Sequence, residues 1–115
     1  MKSGKIWGTT ELLLKTPFIE IHRLAILPNM RCSLHKHEYK ANAFYVQTGR
    51  LYIEVRKNDY ALTDTTELGP GELMVAKPNE FHRFVTKDEG MTGIEIYYPE
   101  PLSEDIIRAD VGGAA

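Results

Sequence analysis

Nothing inside this chain can pair with Cys32, the only cysteine among 115 residues. An internal disulfide and a cysteine-rich zinc cluster are therefore excluded, and a metal would have to be held by nitrogen and oxygen. The thiol's neighbours, "MRCSL", read as a strand, where a lone cysteine is ordinarily inert packing. Charge of one sign is scarce as well. Lys and Arg number 14 against 16 Asp and Glu, a formal net charge of -2, with no basic stripe for nucleic acid or an acidic lipid surface. No apolar run nears the roughly 20 residues of a membrane helix, and the opening "MKSGKIWGTTE" lacks a secretory h-region. The expected location is cytoplasmic, with no membrane partner. At this length a single domain, 1–115, with one site is expected, since no repeat, linker or low-complexity tract divides the chain.

What the chain has in quantity is short apolar runs between turn residues. "FIEIHRLAIL" stops at Pro28-Asn29, "NAFYVQT" at Gly49, "LYIEVRK" at Asn58-Asp59 and "TTEL" at "GPG". "ELMVAK" then stops at Pro78-Asn79, "FHRFVTK" at "DEG" and "MTGIEIYY" at Pro99. About ten strand-like segments at this spacing predict an all-β sandwich or barrel of antiparallel strands. A helix signal is confined to the tail, where Ser103 stands as N-cap before Glu104 and Asp105 in "SEDIIRAD".

Chemistry concentrates in "SLHKHEYKANAFYVQTG", residues 33–49. Alternation along a strand points His35 and His37 the same way, with Cα atoms about 6.5 Å apart. On the next strand the same rule gives Asn42, Phe44 and Val46 one face, which brings Asn42 beside the pair. His82 follows the Pro78-Asn79 turn, and an antiparallel barrel can return it to the same interior. Three imidazoles and an amide oxygen make a nitrogen-rich site with open positions, suited to one divalent transition metal such as Zn, Fe, Mn, Ni or Cu. A lone strand histidine is more often packed or solvated, and His22 is read that way. Two buried imidazoles with no shared partner would be costly, which favours a ligand role for the pair.

These residues resemble the cupin superfamily. His35, His37, Asn42 and Gly49 occupy the places of its first motif, and Gly71, Pro78 and His82 those of its second, with the Pro-to-His spacing one residue short. A closer likeness is to the cupin domain of type II mannose-6-phosphate isomerase / mannose-1-phosphate guanylyltransferase. "KIWGTTELL", "SLHKHEYKANAFYVQTG" and "IEIYYPEPLSEDIIRADVGG" are similar to its opening, metal-site and closing segments. The resemblance implies a double-stranded β-helix, or jelly-roll barrel, ending in a short helix, with a divalent metal inside and a sugar phosphate near it. It departs from that family at three places: His35 stands for Gln, Asn42 for Glu, and Lys40 for Arg. The loss of the acidic ligand leaves the metal's charge uncompensated, which favours an anionic ligand. Without a nucleotidyltransferase segment, GDP-mannose synthesis is not expected.

Three functions follow. The first is a metal-dependent sugar-phosphate isomerase, with His35, His37 and His82 on the metal, Asn42 as fourth or supporting ligand, and Lys40, Arg83 and Phe44 contacting substrate. Its base is open: Glu95 and Glu38 are candidates by residue type, though surface carboxylates are the commoner case. The second is a three-histidine non-haem iron dioxygenase, and the third a non-catalytic carbohydrate or small-anion binding protein. Leu51, Ile53 and Val55 would pack on a second subunit, making a homodimer, or on the chain's own second sheet.

Overall fold

The computed structural model describes residues 2–57, 62–99, 109 and 111–114. Among them nine strands and no helix are present: β1 Lys2–Lys5, β2 Gly8–Lys15, β3 Glu20–Ile26, β4 Lys40–Gly49, β5 Leu51–Arg56, β6 Thr63–Leu68, β7 Leu73–Ala76, β8 His82–Val85 and β9 Met91–Pro99. They form a six-stranded sheet, ordered β1-β2-β3-β9-β4-β7, and a three-stranded sheet, ordered β6-β5-β8. Every pairing is antiparallel. This is the expected all-β cupin-like fold. The tail helix expected from Ser103 falls on residues 103–110, of which the structure describes Ala109 alone.

The chain crosses between the sheets at Gly49. Its φ of 82° lies in the left-handed region, and a Cβ there would run into the carbonyl oxygen of Gly90. Only glycine meets both conditions cheaply. β4 therefore ends in one sheet and β5 begins in the other, and Leu51, Ile53 and Val55 turn inward to become fully or nearly fully buried. Of the two fates the sequence allowed them, the structure shows the second. They are core, and they present nothing to another subunit.

Position along the inward face of each strand divides the interior into two ends. β3 contributes Leu24 and Ile26 to one end and Glu20 and His22 to the other; β4 contributes Phe44 and Val46, then Asn42; β8 contributes Phe84, then His82. The register aligns these changes: His22 faces Glu95, which faces Phe44, while Glu20 faces Tyr97, which faces Asn42. One end is thus a packed apolar core that includes Leu24, Phe44, Val46, Leu51, Ile53 and Phe84. Each such side chain contributes roughly 1.5–3 kcal/mol by leaving water. The other end is lined with titratable groups.

One local expectation fails in detail. Between β3 and β4 the chain makes no ladder strand, only isolated bridges from Arg31 to Val85 and from His35 to His82. The segment "MRCSLHKH" forms no ladder, and Met30, Cys32, His35 and His37 make separate backbone bonds to β8 and the turns around it. That leaves its imidazoles held by a few specific contacts.

Candidate metal centre

His35 and His82 are placed by a two-way backbone exchange. The His35 N–H donates to the His82 carbonyl at 3.1 Å, and the His82 N–H returns the bond at 2.8 Å. Residues so paired stand directly opposite, and their ring centroids are 4.7 Å apart. His37 lies two positions on, its ring 5.1 Å from that of His35 and 5.6 Å from that of His82. Its carbonyl accepts the Asn79 N–H at 2.7 Å. Asn79 has φ 66°, so the Pro78-Asn79 turn both returns the chain and fixes His37. One ring nitrogen from each of the three histidines lies within 4.8 Å of the others.

The hydrogen bonds select the tautomers. His35 Nδ1 donates to the Ser33 carbonyl at 2.8 Å, and His82 Nδ1 to the Glu80 carbonyl at 2.9 Å. Each bond leaves Nε2 with a bare lone pair, the arrangement in which a backbone carbonyl orients a metal-binding imidazole. The buried Nε2 of His37 has no hydrogen-bond partner among the described residues, and neither has Asn42 Oδ1. The Asn42 amide nitrogen donates to Glu95 Oε2 at 3.2 Å and sits 3.4 Å from His82 Nε2. Buried acceptors are rarely left unpaired. Two of them beside three converging imidazoles fit a cation, and the donor set, nitrogen with one amide oxygen, suits a divalent transition metal.

Electrostatics agree with that fit. Burial first, then the neighbouring His35, Lys40 and His82 charges, push the His37 imidazole down to about 4. Burial likewise lowers His82, against the opposing effect of the Glu80 carbonyl. Both rings are neutral at pH 7, the state a metal requires. A consequence follows for the metal-free protein. A histidine depressed in the native state contributes stability above its unfolded pKa near 6.5, and that contribution is lost as pH falls toward about 4. Glu95, raised by burial, contributes in the opposite direction, losing its share as pH rises through its own native pKa. A comparison isolates His37: the urea midpoint of the wild type relative to His37→Gln should decline on acidification from pH 6.5 to about 4. A constant difference would contradict it.

The polar end holds more than the sequence reading identified. A cavity of about 310 Å³ is lined by His35 and Cys32 together with Thr10, Glu20, His22, Glu95 and Tyr97, among others. His22 is no isolated packing residue: its Nε2 is 2.7 Å from Glu20 Oε2, and its Nδ1 is 3.3 Å from Thr10 Oγ1. That bond from His22 is the main reason the Glu20 carboxyl titrates low. Glu95 is 8% exposed, so it is not the surface carboxylate that residue type favours. Burial raises its pKa, while hydrogen bonds from Asn42 and Tyr97 oppose the rise. The same burial and the Glu95 carboxylate push the Tyr97 phenol far up. Sequence offered only the spacing, Glu-x-His on β3 and Glu-x-Tyr on β9, and the register that sets the two pairs opposite one another belongs to the fold.

The remaining candidates scatter. Lys40 reaches the site's edge, its Nζ 4.3 Å from the centre of the Tyr97 ring, which is itself 5.3 Å from the His37 ring. Phe44 is 1% exposed and belongs to the core, with its ring 6.2 Å from His82. Arg83 follows His82 and so takes the opposite face of β8, where Nε donates to Glu54 Oε1 at 2.6 Å. The fold does not bring Arg83 to the histidines. Glu38 is exposed and contributes its carbonyl to Asn79 Nδ2 at 3.5 Å. Cys32 accepts the Phe84 N–H at 3.2 Å, and burial pushes its thiol up to about 11. Iodoacetamide at pH 7 should leave the native thiol unmodified and alkylate it in urea, as read by mass spectrometry, because only the thiolate attacks. Stoichiometric labelling of the folded protein would refute this.

Residues 22–97 match the family described as Cupin domain. A search of curated protein sequences found no match. Among solved structures, KdgF from Halomonas sp. superposes with a TM-score of 0.68 at 20% identity, over 80% of this chain and 78% of that one. The capsular polysaccharide assembling protein CapF of Staphylococcus aureus gives 0.76 at 18% identity, over 85% of this chain. A variant oxalate decarboxylase of Bacillus subtilis gives 0.74 at 14% identity, over 90% of this chain. This chain spans 28% of each of the last two. At these identities the likeness is one of fold.

Proposed function

The chain belongs to the cupin domain family, and from that premise we propose that it is a metal-dependent isomerase of a small sugar-derived anion. The observation that carries the proposal is the position of Glu95, a buried carboxyl that lines the same cavity as His35 and is hydrogen-bonded by Asn42 beside His82. His35, His37 and His82 would hold the ion through their free nitrogens, with Asn42 Oδ1 beside them. A bound divalent cation supplies polarisation of the ligand's carbonyl and hydroxyl oxygens. Glu95 takes a proton from one carbon and returns it to the next, and the hydrogen bonds from Asn42 and Tyr97 hold its carboxyl in place. Trp7 and Phe84, ring centroids 4.9 Å apart, form an apolar wall of the cavity that limits water. The resemblance of the metal-site segment to mannose-6-phosphate isomerases supports the same reading.

Interconversion of mannose 6-phosphate and fructose 6-phosphate, and of related aldose and ketose acids, by metal-loaded protein tests it. Conversion should occur, and Glu95→Gln should lower kcat by roughly 100-fold or more. No turnover across the panel with metal demonstrably bound would end the isomerase reading. A ligand set of neutral imidazoles favours a second reading, the three-histidine iron dioxygenase. Oxygen uptake by iron-loaded protein with thiols or small acids separates the two. We also place a homodimer contact on the outward face of the six-stranded sheet, where Leu14, Tyr45 and Leu73 are exposed. Light scattering showing a monomer at micromolar concentration would remove it.

A further inference from the structure

A second cavity, of about 350 Å³, lies at the end of the barrel where the β2–β3 turn, the start of β4 and the end of β9 meet. Its lining includes Lys15, Phe18, Glu20, Lys40, Tyr97 and Tyr98. Glu20 and Tyr97 also line the cavity that holds His35, so the two spaces adjoin. The charges do not balance. Lys40 places its ammonium over Tyr97 at 4.3 Å without a close carboxylate in that contact. Lys15 is 3.9 Å from Glu20 Oε1, a loose pair with the lysine side chain 67% exposed, and Glu20 is already committed to His22 at 2.7 Å. Two cations therefore share one carboxylate that serves a third partner.

Apolar surface accompanies this surplus. Phe18 is 73% exposed at the turn, whose backbone is pinned by Thr16: the Phe18 and Ile19 N–H groups donate to Thr16 Oγ1 at 3.1 and 3.0 Å. Phe18 is thus presented by an ordered turn. An exposed aromatic ring beside two ammonium groups suits a ligand with a hydrophobic ring face and an anionic end.

We propose that this second cavity is the anion subsite of a two-part ligand site: Lys15 and Lys40 bind the carboxylate or phosphate end of a sugar-sized molecule whose oxygen-rich end reaches the three histidines. The inference rests on the metal reading above for the far end of the ligand, and on the cavity alone for the near end. Tyr97 is the partition between the two, with His37 5.3 Å from its ring and Lys40 4.3 Å from it. The influence of Lys40 on both the His37 and the Glu20 titration is consistent with that closeness.

The test uses cobalt-loaded full-length protein and four probes: D-galacturonate, mannose 6-phosphate and the neutral sugars galactose and mannose, with binding read by calorimetry. Imidazole titrated against the cobalt absorption bands reads the metal independently. At least one anion should bind about tenfold more tightly than its neutral counterpart, as two partly exposed ion pairs allow, and added salt should weaken it. The double variant Lys15→Gln, Lys40→Gln should erase that advantage while imidazole binding is unchanged. Which anion wins distinguishes a carboxylate from a phosphate end. Equal binding of charged and neutral sugars, no anion binding at millimolar concentration, or an advantage that survives in the double variant overturns the subsite. If cobalt produces no spectrum, the metal reading fails by itself. The same comparison on metal-free protein then judges the subsite by the same outcomes.

Discussion

Replacing His82 with alanine should lower the affinity for divalent metal by more than about 100-fold, beyond the 10- to 100-fold that loss of a merely supporting partner costs. His82 is 1% exposed, its Nδ1 is tied to the Glu80 carbonyl, and its backbone exchanges two hydrogen bonds with His35. The effect is visible in stability. A metal present at 100 times its dissociation constant stabilises the wild type by about 2.7 kcal/mol, or roughly 10 °C in Tm for a domain of this size. The His82→Ala variant should gain at most about 0.4 kcal/mol, under about 2 °C, at the same concentration. Because truncation leaves the Glu80 carbonyl unpaired, His82→Gln serves as a second variant that retains a donor. A metal-induced rise equal to that of the wild type in both variants would show that the cluster is not the binding site.

Phe44→Ala should destabilise the protein by about 3–5 kcal/mol, the range for a large aromatic truncated in a packed core. Against a total of roughly 5–15 kcal/mol for a domain, that is a large share. Phe44 is 1% exposed and its ring lies 6.3 Å from Phe84 and 6.2 Å from His82. It therefore stands where the apolar end of the barrel meets the polar end. Its removal opens a void beneath the histidines, so the loss reaches the site as well as the core. Urea unfolding measures the effect, with Phe44→Leu expected to recover most of the stability. A loss below about 1 kcal/mol on truncation would place the ring at a compliant cavity wall, as a substrate contact would be, rather than in close packing.

Several residues show where sequence sufficed. The turn residues Pro78 and Asn79 marked a chain reversal that the structure has, with Asn79 in the left-handed φ that suits a turn, and Gly49 marked the bend at which the chain passes from one sheet to the other. The His-x-His spacing put two imidazoles on one side, which holds even though the segment forms only isolated bridges. Asn42, Phe44 and Val46 share a buried face as alternation requires. Arg83 shows the limit. As a cation beside a metal ligand it is expected to contact an anionic substrate, yet one step along a strand places its side chain on the other face, against Glu54. Glu95 and His22 show the converse limit. Both residue types are commonly exposed, and nothing local reveals that β3 and β9 pair in a register that turns both toward the histidines.

The amino-acid sequence by itself determined the strand periodicity, the turns that separate the strands, and the side on which each side chain of a strand falls, because these are properties of a few consecutive residues. Only the tertiary structure decided which side faces inward, how deep along the barrel each residue sits, and that His82 meets His35 across 46 intervening residues. Those outcomes depend on registers between distant strands, and a single-residue slip in any of them would exchange the lining of the cavity for its outer surface.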